Sequence, residues 1–307
     1  MTARVVLFAG QGAQRPGMGH PYWRTPAWEV VERIDDVTHT DVTGLMLHAS
    51  SHDLADTCAA QLAVFTGGLL AHHTAREAGM TPTAVVGHSV GEVAALTAAG
   101  ALDVRDAAHF VEERGLAMAE ACAAAPGGML ALRGGPEVAL TLAQDHHRGR
   151  VWVAAYNGPG ETVLAGHADE IRALADSARQ RRIPAMALPV AGAFHTPMMW
   201  SATRRTGDAL RHVRFRTPEV PVASTADGRV HTTAAGWAER LLLQLTQPVR
   251  WPEAVAALHL GPASPVLDTS PSGALSRLLR REYASTTSSL STPQAGNAGP
   301  SPLRGEG

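Results

Sequence analysis

The sequence predicts an α/β fold, with a core built on a parallel sheet and interrupted by a small βαββαβ unit. Three observations carry this. Strand-like apolar runs alternate with helix-period segments over residues 5–121, the order that gives parallel strands with helical crossovers. A glycine-flanked serine, Gly87-His88-Ser89-Val90-Gly91, sits between the apolar Ala84-Val85-Val86 and the helix-like Glu92-Val93-Ala94-Ala95-Leu96, as in a strand–turn–helix nucleophile elbow. Residues 129–189 then change rhythm and read strand, helix, two strands, helix, strand.

In chain order, Val5–Ala9 reads as a buried strand running into Gly10-Gln11-Gly12. Gln61–Ala78 reads as a helix, with Leu62, Phe65 and Leu69 on one face and Gly79 as its stop. The Ala84–Val86 strand, the elbow and a helix to about Ala99 follow. Asp103 with Asp106 opens another helix, to about Ala121. The inserted unit comprises strand Met129–Leu132, helix Pro136–His146, strands Val151–Tyr156 and Glu161–Ala165, helix Ala168–Arg181 and strand Pro184–Pro189. Its middle strands are joined by the turn Asn157-Gly158-Pro159-Gly160. That order and size match a ferredoxin-like subdomain over 126–195, with hinges at Pro126-Gly127-Gly128 and near Gly192. The core resumes with helix Trp200–Val213, strand Val220–Ser224, helix Ala235–Leu245, strand Pro265–Asp268 and helix Gly273–Arg281. The large unit is thus 1–125 with 196–284. From Ser285 to residue 307, Ser, Thr, Pro and Gly dominate, a composition expected to stay disordered.

Composition narrows the function classes. At 307 residues, 45% hydrophobic and 18% charged, the chain reads as an ordinary globular protein. A net charge of −2 argues against a basic nucleic-acid binder. All 26 basic residues are arginine, so Schiff-base chemistry on a lysine is excluded. Cys58 and Cys122 read as buried small hydrophobes, and two cysteines suggest neither a metal cluster nor a disulfide scaffold. No signal-peptide pattern or membrane-length apolar run is present, so a cytoplasmic protein is expected.

A serine hydroxyl needs a base. Fifteen histidines are available. His72, His73, His146 and His147 read as solvated helix-surface residues. His88 adjoins Ser89, but neighbouring side chains at an elbow diverge. His195, after Gly192-Ala193-Phe194 and before Thr196-Pro197, lies at a junction between units, where catalytic groups collect.

These pieces give the sequence a resemblance to the malonyl-CoA:acyl carrier protein transacylase family, which includes polyketide synthase acyltransferase domains. The matching residues run in the family's order over about residues 5–280: Phe8-Ala9-Gly10-Gln11-Gly12, Gln61, Gly87-His88-Ser89-Val90-Gly91-Glu92, Arg114-Gly115 with Met118, Asn157-Gly158-Pro159-Gly160, Gly192-Ala193-Phe194-His195, and Gln244 before Pro248-Val249-Arg250-Trp251. The resemblance implies an α/β-hydrolase-like large subdomain beside the ferredoxin-like one. It implies Ser89 as acyl-accepting nucleophile, His195 as general base, the backbone N–H groups of Gln11 and Val90 as oxyanion hole, and a carbonyl at Gln244 orienting the imidazole. Arg114 would clamp the free carboxylate of a malonyl-type group, with Met118 and Phe194 also in the acyl site. In the polyketide branch, phenylalanine at position 194 goes with unbranched malonyl, although plain packing is the alternative for that ring.

The implied reaction carries malonyl from coenzyme A, through Ser89, to the phosphopantetheine thiol of an acyl carrier protein, in polyketide or fatty-acid biosynthesis. It needs no metal and no permanently bound cofactor; the coenzyme A thioester is a substrate. Neither nucleic acid nor membrane is implied as a partner, and a monomer is the working expectation. The alternatives are transfer of an unusual acyl unit between carrier proteins, hydrolysis of carrier-bound thioesters, and a non-catalytic scaffold. Asn157 reads as a turn residue first and a cleft residue second. Arg204, Arg205, Arg211, Arg214 and Arg216 read first as a solvated helix face, and second as a surface for an acidic carrier protein or its phosphate. Where the family usually has a Glu-x-Gly-Pro-Gly-like loop, this chain has Asp268-Thr269-Ser270-Pro271-Ser272, which shifts weight toward polyketide-type relatives.

Overall fold

Strand β1, Val5–Phe8, lies at the centre of the larger of two sheets, and its four side chains are buried. The computed structural model describes residues 4–144, 150–260, 264–282 and 289–290. After β1 come α1 (Glu29–Asp35), α2 (Val42–Leu47) and α3 (Thr57–Glu77), then β2 (Ala84–Gly87), α4 (Gly91–Ala98) and α5 (Val104–Ala124). Next come β3 (Gly127–Arg133), α6 (Pro136–Gln144), β4 (Val151–Gly158), β5 (Glu161–His167), α7 (Ala168–Gln180) and β6 (Ala185–Ala187). The chain then forms α8 (Ala202–Leu210), β7 (Val222–Ser224), β8 (Arg229–His231), α9 (Trp237–Leu243), β9 (Val249–Arg250), α10 (Trp251–Ala256), β10 (Val266–Asp268), α11 (Ala274–Glu282) and β11 (Ser289–Leu290).

The larger sheet has the order β11-β10-β1-β2-β7-β8. Its pairs are parallel except β7 with β8. Strands covered on both faces read as continuous apolar runs rather than alternating ones, which is why Val5–Phe8 and Ala84–Val86 were legible. The smaller sheet has the order β6-β3-β5-β4-β9. Within it β3, β4, β5 and β6 pair antiparallel, while β9 joins β4 in parallel. The chain is therefore a mixed α/β protein with two mixed sheets.

Helix α3 starts four residues earlier than its periodicity suggests, because Asp56 caps it by accepting from the Ala59 N–H at 2.9 Å. Most of its circumference is buried, so it packs inside the core rather than on it. Asp103 caps α5 as expected, accepting from the Arg105 N–H. Helices α1, α2 and α10 and strands β8 and β9 were not anticipated. All are eight residues or fewer, too short for a periodic signal. His72 is a correction: it is buried, and desolvation pushes its pKa down to about 4. His73 is partly exposed beside Glu77, whereas His146 and His147 lie outside the described residues. The tail from Ser285 onward also lies outside them, apart from the two residues of β11. Cys58 and Cys122 are buried and unpaired with each other.

Candidate active site

The elbow exists because two glycines let three backbone segments meet. A Cβ on Gly87 would lie 2.1 Å from the Gly91 carbonyl carbon, and one on Gly91 would lie 2.2 Å from the Phe8 carbonyl oxygen. No side chain fits at either position. Ser89, held between them, takes φ +56°, a left-handed conformation costing about 1–3 kcal/mol for a non-glycine residue. The turn is fixed by His88 N–H donating to Phe8 O at 2.8 Å and Glu92 N–H donating to Ser89 O at 2.9 Å. Val90 then N-caps α4, so its own N–H sits at the positive end of that helix, next to Ser89.

His195 lies 106 positions further on, in the segment between β6 and α8, and also has a left-handed backbone (φ +60°). The Thr196 hydroxyl donates to Ala193 O at 2.6 Å and pins this turn. The fold brings His195 Nε2 to 2.8 Å from Ser89 Oγ. On its other side, Nδ1 is 2.7 Å from the backbone carbonyl of Gln244 at the end of α9. A carbonyl only accepts, so Nδ1 carries the proton and Nε2 is free to accept from the serine. Burial, then the nearby Arg114 charge, push the His195 pKa down to about 3, so the ring is neutral at pH 7.

Arg114 sits on α5 with 1% of its surface exposed. Its Nη1 donates to Gln61 Oε1 on α3, and its Nη2 lies 3.4 Å from Ser89 Oγ. The Gln61 amide also contacts Met118 Sδ at 3.3 Å. Among the described residues no carboxylate lies within ion-pair distance of Arg114. Desolvation lowers its pKa to about 10, against the opposing pull of Glu92, so it stays cationic at neutral pH. A buried, hydrogen-bonded but charge-unpaired guanidinium is costly by itself and favours an incoming anion.

Ser89, His195, Arg114, Met118, Phe194 and Gln11 all line one cavity of about 640 Å³. Its walls include Leu132 and Val163 of the smaller sheet and Leu275 and Leu278 of α11. Asn157 is a further correction, being more than a turn residue. It lines the cavity, with its Oδ1 3.0 Å from His88 Nε2 and its Nδ2 donating to Glu161 Oε1 at 3.1 Å. His88 is half-buried, its pKa lowered chiefly by desolvation, and it points to Asn157 rather than to Ser89. The arginine segment is partly self-neutralised: Arg205 pairs with Glu113 and Glu120, and Arg211 with Asp208. The 268–272 loop ties elements together. Asp268 accepts from Ser270 and from the Ser276 N–H of α11, and the Thr269 N–H donates to Leu7 O of β1.

Two contributors had no role assigned from the sequence. Gln61 holds the Arg114 guanidinium, and Glu92 lies fully buried behind Gln244. The available signal was a lone polar residue inside an apolar helical run, Ala60-Gln61-Leu62-Ala63 and Glu92-Val93-Ala94-Ala95. Among the described residues no group of three His, Cys, Asp or Glu side chains could hold a metal ion, and no helix is long and apolar enough to cross a membrane.

Comparison with known proteins shows the family. The family model described as acyl transferase domain matches residues 5–298. The malonyl CoA-acyl carrier protein transacylase of Bacillus subtilis strain 168 is 32% identical over 290 residues, covering 92% of this chain and 90% of that one. The crystal structure of MCAT from Mycobacterium tuberculosis superposes with a TM-score of 0.84 at 32% identity, covering 95% and 98% of the two chains. A type II PKS acyl-carrier protein in complex with its malonyl-transacylase gives a TM-score of 0.87 at 25% identity, covering 96% of this chain and 97% of that one. The chain belongs to the acyl transferase domain family.

Proposed function

We propose that this acyltransferase moves a malonyl-type group from coenzyme A to the phosphopantetheine thiol of an acyl carrier protein, by way of an ester on Ser89. The observation that carries the reading is a Ser89–His195 pair at 2.8 Å with the charge-unpaired, buried Arg114 beside the same hydroxyl. Names of relatives add the donor and the acceptor: transacylases for malonyl CoA and acyl carrier protein, and one such enzyme held in complex with its carrier.

In the first half-reaction Ser89 Oγ attacks the thioester carbonyl and its proton passes to His195 Nε2. The oxygen that becomes negative is received by the backbone N–H groups of Gln11 and Val90; such a donor is typically worth about 2.7–4 kcal/mol of barrier. Collapse breaks the C–S bond, and the imidazolium returns its proton to the departing thiolate. The second half-reaction reverses these steps with the carrier thiol as nucleophile. A Ser–His pair held by a carbonyl suits a thioester, because a thiolate leaves more readily than an amide nitrogen. Arg114 takes the free carboxylate of the acyl group in a bidentate contact, and Phe194 and Met118 fill the space around its methylene. Water exclusion by the buried site keeps hydrolysis from competing. The only cofactor-like molecule in this scheme is the coenzyme A thioester, used as substrate.

The same proposal extends to architecture. Residues 1–125 with 196–284 read as an α/β-hydrolase-like subdomain and 126–195 as a ferredoxin-like one. The antiparallel order β6-β3-β5-β4 supports the second reading. The cleft between the two is the substrate site.

Intact-protein mass spectrometry after exposure to malonyl-CoA tests the function. A malonyl adduct is expected on the wild type and none on Ser89→Ala, followed by transfer to a phosphopantetheinylated carrier protein. Release of malonate to water without carrier loading would replace the transfer reading with hydrolysis.

A further inference from the structure

Glu92 follows the elbow on α4, is fully buried, and has no task in the reaction just described. Its Oε1 accepts from the Ser224 hydroxyl at 2.7 Å, and its Oε2 from the Thr225 N–H at 2.8 Å and the Thr225 hydroxyl at 2.9 Å. A fourth donor is the side-chain Nε2 of Gln244, at 2.7 Å. That same Gln244 presents its main-chain carbonyl to His195 Nδ1. The other end of the amide, Oε1, is buried and has no hydrogen-bond partner among the described residues. An amide that leaves its oxygen unpaired to keep its nitrogen on a carboxylate is oriented by that carboxylate. Among the described residues no cation lies within ion-pair distance of Glu92. The charged groups that face it are Arg114 from α5 and Asp227 beyond β7, with the His195 ring on the far side of Gln244.

We propose that Glu92 is a positioning residue for His195, acting through Gln244: it tethers the carbonyl that holds Nδ1 and places behind it the negative charge that a Ser–His–Asp triad puts in direct contact with the ring. The inference rests on the Ser89–His195 chemistry proposed above. When Nε2 takes the serine proton, an imidazolium forms near the Arg114 cation, and like charges in a desolvated site repel strongly. A neutral carbonyl orients the ring but offsets little of that repulsion. A carboxylate one residue further back supplies the missing charge. Burial raises Glu92 to about 7, against the hydrogen bonds from Ser224 and Thr225, whereas the His195 ring lies near 3. A loss of Ser89 reactivity as pH falls through neutrality therefore belongs to Glu92 and not to the imidazole.

The test measures the labelling rate of Ser89 by a fluorophosphonate across about pH 5.5–9, on the full chain, alongside acylation by malonyl-CoA. In labelling, the serine oxygen bonds to phosphorus, fluoride leaves and the proton passes to His195. Wild-type reactivity should rise with pH through about 7 as Glu92 ionises. Glu92→Gln should be about tenfold slower at pH 8 and flat across the range, with KM for malonyl-CoA little changed; direct loss of a triad carboxylate costs far more. Gln244→Met keeps the carbonyl but cuts the tether, and should also label slowly. A Glu92→Gln protein with the wild-type rate and profile overturns the inference; should that variant not fold, a folded Gln244→Met with wild-type labelling does the same. A wild type that labels but never takes malonyl sinks the substrate reading alone. A wild-type Ser89 inert to the fluorophosphonate sinks both.

Discussion

Replacing Arg114 with methionine separates recognition of a carboxylated acyl group from the chemistry at Ser89. The side chain is fully enclosed, so methionine preserves most of its volume and avoids the cavity that alanine would leave. What is lost is a guanidinium whose Nη1 is already committed to Gln61, while Nη2 faces the acyl position 3.4 Å from Ser89 Oγ. In the proposed reaction, a malonyl ester on that oxygen carries its far carboxylate back alongside the guanidinium. Hydrogen bonds to charged groups are worth about 1.5–3 kcal/mol each. A net loss of about 3 kcal/mol, after discounting non-additivity, corresponds to roughly two orders of magnitude in kcat/KM. Acetyl has no carboxylate and should be nearly unaffected. The assay is stopped-flow or mass-spectrometric acylation with malonyl-CoA and acetyl-CoA in parallel, with thermal denaturation to confirm a folded variant. Equal losses with the two donors would refute the clamp and reduce Arg114 to a support for Ser89.

Gly91→Ala should cost about 3 kcal/mol of stability, because its Cβ would lie 2.2 Å from a backbone oxygen of β1 that cannot move independently; urea denaturation reads this, and a neutral result would mean that the elbow relaxes. Glu92 is raised from its ordinary value to about 7 in the folded chain, so the unfolded chain ionises first and folding stability falls as pH rises from about 4.5 to 7. Measured against Glu92→Gln, the wild type should lose relative stability across that window and hold a constant difference above it; a pH-independent difference would show that the carboxyl titrates normally. The thiols of Cys58 and Cys122 are pushed up to about 12 and about 11, chiefly by burial, so both should resist iodoacetamide at pH 8 until the protein is unfolded. Rapid alkylation of native protein would contradict their enclosure.

The sequence by itself determined the parts whose signal is local. Apolar runs marked β1 and β2, the Gly87–Gly91 spacing marked a turn that only glycines allow, and Asp103 marked the start of α5. Each depends on a few neighbouring residues and on sterics that act whatever the rest of the chain does. The βαββαβ rhythm was legible for the same reason. The sequence singled out His195 among fifteen histidines by its junction position and its family resemblance, but only the tertiary structure brings that ring to a serine 106 positions away. Tertiary structure also decided that Gln61 is the residue that holds Arg114, that Asn157 faces the cleft, and that His72 is buried. Gln61 and Glu92 stayed silent in the sequence because a polar side chain in an apolar helix acquires meaning only from what packs against it. Hydrophobic pattern specifies which faces are covered; which polar atoms then oppose one another is set by the register and angle at which whole elements dock.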